Sequence, residues 1–194
     1  MNGGSMQNHI SKRTLPRLSA PTRSPRGLTL VELLVVIAII GIILTIAIPN
    51  FAGMQQRQRI RAGAAAVAQD FKQIRERAIA RGRRYHITRV DAQSYQVSDP
   101  DSNITIYRLG RTTGGRLRFG VSPSYAGGVP PEANQAGAPA DGFDFIPAGE
   151  LIFDNRGGAT RGVVYITNDK EDFAIGVNNL GKIEVYHYAN GGWN

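Results

Sequence analysis

Residues 28–48 read LTLVELLVVIAIIGIILTIAI and follow directly on Gly27. Apart from Thr29, Thr45, Gly41 and Glu32, every residue of this stretch is apolar. About 20 such residues at 1.5 Å rise cross a bilayer core as a helix. In lipid a helix also satisfies its own backbone polar groups. The stretch therefore predicts one transmembrane helix over 28–48. The competing reading is a buried core helix, but apolar runs in cores are typically shorter. Glu32 stands out, because a carboxylate inside a spanning segment is costly and points to function.

The charge is unevenly spread. The chain has 194 residues, 23 Lys and Arg, 15 Asp and Glu and a net charge of +8. Lys12, Arg13, Arg17, Arg23 and Arg26 precede the span with no acid among them. A basic N-terminal flank keeps that end in the cytoplasm, which puts the rest of the chain outside the cytoplasmic membrane. Arg57, Arg59 and Arg61 lie on the far side and count the other way. Beyond Gly27 the balance is nearly even, so a wholly nucleic-acid-binding chain is disfavoured. With 42% hydrophobic residues the chain is neither mostly disordered nor a multi-span membrane protein. It has no cysteine, which excludes disulfides, thiol nucleophiles and cysteine-held metals.

After Pro49 the chain turns polar. Ile60, Ala64, Val67, Phe71, Ile74 and Ala78 recur at alternating spacings of four and three, on one helical face. Gln69, Asp70, Lys72, Arg75, Glu76 and Arg77 fall at the other positions, and Gly82 supplies a C-terminal stop. One long helix over about 28–81 is predicted, with Gly41 and Pro49 interrupting it as kinks. From residue 83 the period changes to 2. Alternating runs at 85–90, 94–98, 104–109, 116–119, 163–167, 173–177 and 183–188 are bounded by turn residues. The fold class is therefore α+β, a long N-terminal helix packed on an antiparallel β-sheet or small sandwich. Residues 120–142 are rich in Pro, Gly and Ala and are expected as a long surface loop, mobile or facing a partner.

The stretch from Gly27 to Phe51 resembles the N-terminal signature of type IV prepilins and type II secretion pseudopilins. A basic leader ends in Gly27, Glu32 stands five residues later, and the apolar helix closes at Pro49. The run Arg75-Glu76-Arg77-Ala78-Ile79-Ala80-Arg81-Gly82 is similar to the end of the first helix in the GspH/FimT group of minor pilins and pseudopilins, with Arg77 where Glu is commoner. The segments from Phe145 to Gly149, 163–167, 173–177 and Gly181-Lys182-Ile183 resemble the C-terminal half of that domain. The resemblance implies a cleaved leader 1–27, starting at Met1 or Met6. It implies prepilin peptidase cutting between Gly27 and Leu28, and N-methylation of Leu28. Glu32 would pair with the amino terminus of a neighbouring subunit during filament assembly. The segment between Gly41 and Pro49 would loosen during that assembly. Residues 49–82 would form the stalk helix, and 83–194 a pilin-like periplasmic domain. The implied role is a structural minor pseudopilin of a type II protein secretion system, not an enzyme and without a cofactor. Its partners would be the peptidase, other pilins or pseudopilins, inner-membrane lipid and secreted cargo.

The alternative is a type IV pilus minor pilin that binds DNA for uptake. Arg75, Arg77, Arg81, Arg83, Arg84 and Lys182 would form the contact, joined by Arg108, Arg111, Arg116 and Arg118. Some DNA-uptake relatives carry Gly-Arg-x-Arg near the C-terminus. Here Gly181-Lys182-Ile183-Glu184 stands in its place, and Glu184 repels phosphate. The other reading of the arginines is a solvated helix face with local ion pairs, Arg75 or Arg77 with Glu76. Asp99-x-Asp101-x-Asn103 opens like a calcium loop, but Ile104 and Gly110 stand where its Gly and Glu belong, so a plain turn is expected. His86 and His187 sit in strand-like runs, and no catalytic or metal motif is present. Asp169-Lys170-Glu171-Asp172 reads as a charged hairpin tip.

Overall fold

The computed structural model describes residues 27, 29–101, 103–111, 117–146 and 149–194, and within these the side chains of all but 46–52. The leader with its basic residues, Leu28, Arg116 and the side chain of Pro49 lie outside the described residues. Helix α1 runs Leu30–Arg81, unbroken at Gly41 and Pro49. The chain divides into two units, Met1–Leu44 and Thr45–Asn194.

In the first unit the described helix is apolar all round. Leu30, Val31, Leu33, Leu34, Val35, Val36, Ile37, Ile39, Ile40, Ile42, Ile43 and Leu44 are all exposed. No polar face is set against an apolar one, so water is a poor solvent for any side of it. Among the described residues no helix is long and apolar enough to cross a membrane. The apolar run itself continues through residues 46–48, whose side chains are outside that set.

In the second unit the helix is amphipathic. Ile60, Ala64, Phe71 and Ala78 are fully buried, Ile74 and Val67 nearly so. This is the stripe that the alternating spacing gives. It packs against two antiparallel sheets. The first has the order β3 (Ile104–Arg108), β2 (Ser94–Ser98), β1 (Tyr85–Arg89), β6 (Glu150–Phe153). The second has the order β10 (Gly192–Trp193), β9 (Ile183–Ala189), β8 (Asp172–Val177), β7 (Gly162–Thr167), β4 (Arg118–Phe119). Strand β5 (Phe143–Phe145) shares the outer edge of β7 with β4, pairing Phe143 with Val164 while β4 pairs Phe119 with Ile166.

The main core joins the helix stripe to Ile87, Tyr95, Phe119, Phe143, Leu151 and Phe153 and to the inward residues of β7 and β8. The outward residues Val163, Tyr165 and Ala174 form a second core under Val121, Ala133, Ala138, Tyr186 and Trp193. Both faces of β7 and β8 are therefore covered, and every residue of the two strands is buried.

The cover is the 120–142 segment. It contains no strand, as expected, but it is a tied strap and not a free loop. Asp172 accepts hydrogen bonds from the backbone N–H of Ser122 and from its hydroxyl, both at 2.7 Å. Asp144 accepts from the N–H groups of Asn134 (2.7 Å) and Gln135 (3.1 Å). Arg118 holds Asp169 (2.6 Å) and donates to the Val121 carbonyl (3.0 Å). Tyr125 packs against the contacting pair Tyr188 and Trp193. The Pro and Gly content made a loop here; buried acids on the strands fasten it.

Turn chemistry fixes the hairpins. Asn168 Oδ1 accepts from the N–H groups of Lys170 and Glu171, and Asp169 takes φ 69°. The expected charged tip is thus 168–171, because Asp172 is inside β8 and 3% exposed. Asp99 Oδ1 accepts from the N–H groups of Asp101 and Asn103 and from the Asn103 side chain. Those bonds close a plain turn and lower the Asp99 pKa, the Asn103 side-chain bond chief among them.

Candidate functional site

The helix start is built by Thr29. Its Oγ1 accepts the Glu32 N–H at 3.1 Å, and its carbonyl accepts the Leu33 N–H at 3.2 Å. Thr29 is therefore the N-cap and Glu32 sits at N3, the Thr-x-x-Glu spacing of a capping box. That spacing is readable in the sequence but was overshadowed there by the apolar run. Glu32 lies exposed in the first turn, where the helix dipole favours negative charge. Gly27 is exposed just outside the cap. A Cβ at Gly41 would meet nothing within 4 Å.

The arginines do not form one track. Arg75 Nε donates to the Gly157 carbonyl at 2.7 Å, and its Nη2 donates to the Leu180 carbonyl at 3.3 Å. Gly157 and Gly181 have φ values of 86° and 73° and are the only type that fits against this side chain. Arg75 is thus a clasp between the helix and two turns, and not the partner of Glu76 suggested by their adjacency. Lys182 pairs with Glu184 at 2.7 Å, which raises the pKa of the lysine and lowers that of the acid. These two cations do share one cleft, of about 300 Å³, with Lys72 and Glu76. Arg77 and Arg81 line a separate one, of about 190 Å³, with Asp99. There Arg77 reaches the Tyr107 hydroxyl at 3.5 Å and Arg81 that of Tyr85 at 3.1 Å. Arg83 pairs with Asp101 at 2.5 Å, Arg57 with Glu171 at 2.8 Å, and Arg84 is exposed.

Asp70 is a correction. Helical spacing placed it among the polar outer residues, yet it is 6% exposed. The Tyr95 hydroxyl donates to its Oδ2 at 2.5 Å and Arg111 Nη2 to its Oδ1 at 2.5 Å. Tyr95 stacks on Tyr107, and the Arg111 guanidinium lies 5.0 Å from the Tyr107 ring centre. Burial, then the bond to Asp70, pushes the Tyr95 pKa far up; the same carboxylate raises that of Arg111. The partners come from 25 and 41 residues away, which helical periodicity cannot see.

Elsewhere His86 Nδ1 lies 2.6 Å from Glu150, and the His187 ring stacks on Phe173. Among the described residues no group of three or more His, Cys, Asp or Glu could hold a metal.

Residues 22–48 match the prokaryotic N-terminal methylation motif, so the N-terminus of this chain is prepilin-like. Two solved structures of the minor pseudopilin EpsH from the type II secretion system of Vibrio cholerae are similar to it. One is 17% identical, with 66% of this chain and 94% of that one covered and a TM-score of 0.41. The other is 14% identical, with 68% and 94% covered and a TM-score of 0.40. No curated protein sequence matches significantly.

Proposed function

We propose that this chain is a structural minor pseudopilin of a type II protein secretion machine, assembled after its leader is removed. The observation that carries the reading is the methylation motif over 22–48, with Glu32 as the one acid in an apolar helix. Prepilin peptidase cuts between Gly27 and Leu28, and the new Leu28 amine is methylated. The helix over 28–48 then holds the chain in the inner membrane, N-terminus inside, with the β domain in the periplasm.

The capping geometry supports a role for Glu32. A Leu28 ammonium would stand one residue before the Thr29 cap, at the positive end of the helix dipole, where a cation is disfavoured. The Glu32 carboxylate of a neighbouring subunit offsets that charge. In lipid the two charges are tolerated together and expelled singly, so the pair sets the register between subunits. Residues 41–49 are proposed as the part of the helix that yields on assembly. The subunit needs no catalysis of its own.

Nucleic-acid binding is not favoured. Arg75, Arg83 and Lys182 already have partners within the fold, and Arg75 and Lys182 line one cleft while Arg77 and Arg81 line another, each with an acid in it. The test is intact-mass and N-terminal peptide analysis of membrane-extracted protein from cells with and without prepilin peptidase. A chain beginning at methylated Leu28, dependent on the peptidase, is expected. An uncut chain beginning at Met1 or Met6 would overturn the assembly reading.

A further inference from the structure

The edges of the two sheets are not alike. At β4 and β5 they are two or three residues long, and β10 with Asn194 covers β9 from His187 to Ala189, leaving four residues of β9 beyond it. The edge at β6 is covered by the Phe153–Ala159 bridge and by the Thr160 N–H on the Ile152 carbonyl. Among the described residues, β3 alone offers five residues of open edge. Its composition, Ile-Thr-Ile-Tyr-Arg, favours a strand, and it has none of the Pro, Lys or bulges that usually blunt an edge.

The free backbone groups can be assigned. Asp99 donates to the Asn103 carbonyl and Leu109 to the Gln93 carbonyl, so the rungs to β2 fall at odd positions of the third strand. Alternation then gives Thr105 and Tyr107 to β2. It leaves the N–H and C=O groups of Ile104, Ile106 and Arg108 facing outward. The two faces of the edge also differ. Ile104 (59% exposed) and Ile106 (65%) stand on the outer face. Thr105 and Tyr107 point to the helix side, into the cleft that holds Arg77 and Arg81. Asp99 and Arg81 line the same cleft, where Arg77 contacts a neutral group, the Tyr107 hydroxyl.

We propose that β3 is a docking edge for an extended segment of a partner protein, which joins the sheet as an added strand. Residues opposite Ile104 and Ile106 share the outer face with them and are apolar. The residue opposite Tyr107 points into the cleft, where Asp or Glu meets Arg77. The charge of that cleft is what selects this occupant over any other strand. The proposal stands independently of the secretion reading.

The test uses the full chain in detergent micelles and a fluorescent peptide, SVTVEVS, followed by anisotropy. Replacing the peptide glutamate by lysine should weaken binding at least tenfold, and N-methylating its valine amides should abolish it. Arg77→Glu should reverse the preference between the two peptides. Ile106→Lys should weaken binding of both while leaving thermal unfolding unchanged. Three results would overturn the proposal. One is no binding. Another is equal binding of the glutamate, lysine and N-methylated peptides. The third is a chain that self-associates without peptide and comes apart on Ile106→Lys, which would give the edge to a second copy.

Discussion

Asp70→Ala is the sharpest test of the packing described above. The substitution removes a carboxylate that is 6% exposed and satisfies two groups at once. The Tyr95 hydroxyl, on a side chain 1% exposed, loses its acceptor. Leaving such a donor unpaired costs about 1–3 kcal/mol. The Arg111 side chain is 39% exposed, so water takes over much of its loss, which is about 0.5–1 kcal/mol. The sum is about 1.5–4 kcal/mol, or roughly 3–16 °C in Tm for a domain of this size. Urea unfolding of the full chain in micelles, followed by the fluorescence of Trp193, reads it out. A double-mutant cycle supplies the decisive comparison. In a Tyr95→Phe background there is no hydroxyl to strand, and Asp70→Ala should cost about 1–2 kcal/mol less. A loss under about 0.5 kcal/mol, or full additivity of the two changes, would refute the buried network.

Three other outcomes follow from the same contacts. Gly181→Ala should destabilise by about 2–4 kcal/mol, because a Cβ at φ 73° would run into the Gly157 carbonyl and the Arg75 side chain, and Arg75→Ala should soften that penalty. From neutral pH to about pH 9 stability should be level. It should then fall as pH passes 10.0, the ordinary tyrosine value, because the unfolded Tyr95 hydroxyl ionises while the folded one stays neutral. The loss is about 1.4 kcal/mol per pH unit for each such tyrosine. Tyr165, raised by burial, adds to it, and Tyr95→Phe should flatten the slope in alkaline denaturation curves. Asp172→Ala should free the strap at Ser122, seen as faster protease cleavage within 123–129 at unchanged far-UV circular dichroism.

The parts of the fold that repeat were legible in the sequence, and the parts that depend on distant partners were not. The helix stripe from Ile60 to Ala78 is written in a period of 3.6, and burial follows it residue by residue. Strands β5, β6 and β10 are not among the alternating runs. Phe143-Asp144-Phe145 has too few residues to alternate, and its acid is inside because the strap donates to it. Gly162–Thr167 and Asp172–Val177 were readable as strands but not as doubly covered ones, since the covering segment looks like linker. At the N-terminus the reverse holds. Thr29 caps the helix at Glu32, three residues further on, so that contact is local and the spacing alone states it.

The Arg75 clasp has a consequence in time. It joins residue 75 to turns 82 and 105 positions further on. Contacts that distant in sequence close late, after the entropy of long loops has been met. A ribosome making this chain releases Arg75 while the turn at Leu180 is still 105 residues away. Through that interval the Ile60–Ala78 stripe has no finished surface to rest on. A chain cut short before β9 would therefore present an apolar helix in search of any partner, and not a smaller version of the domain.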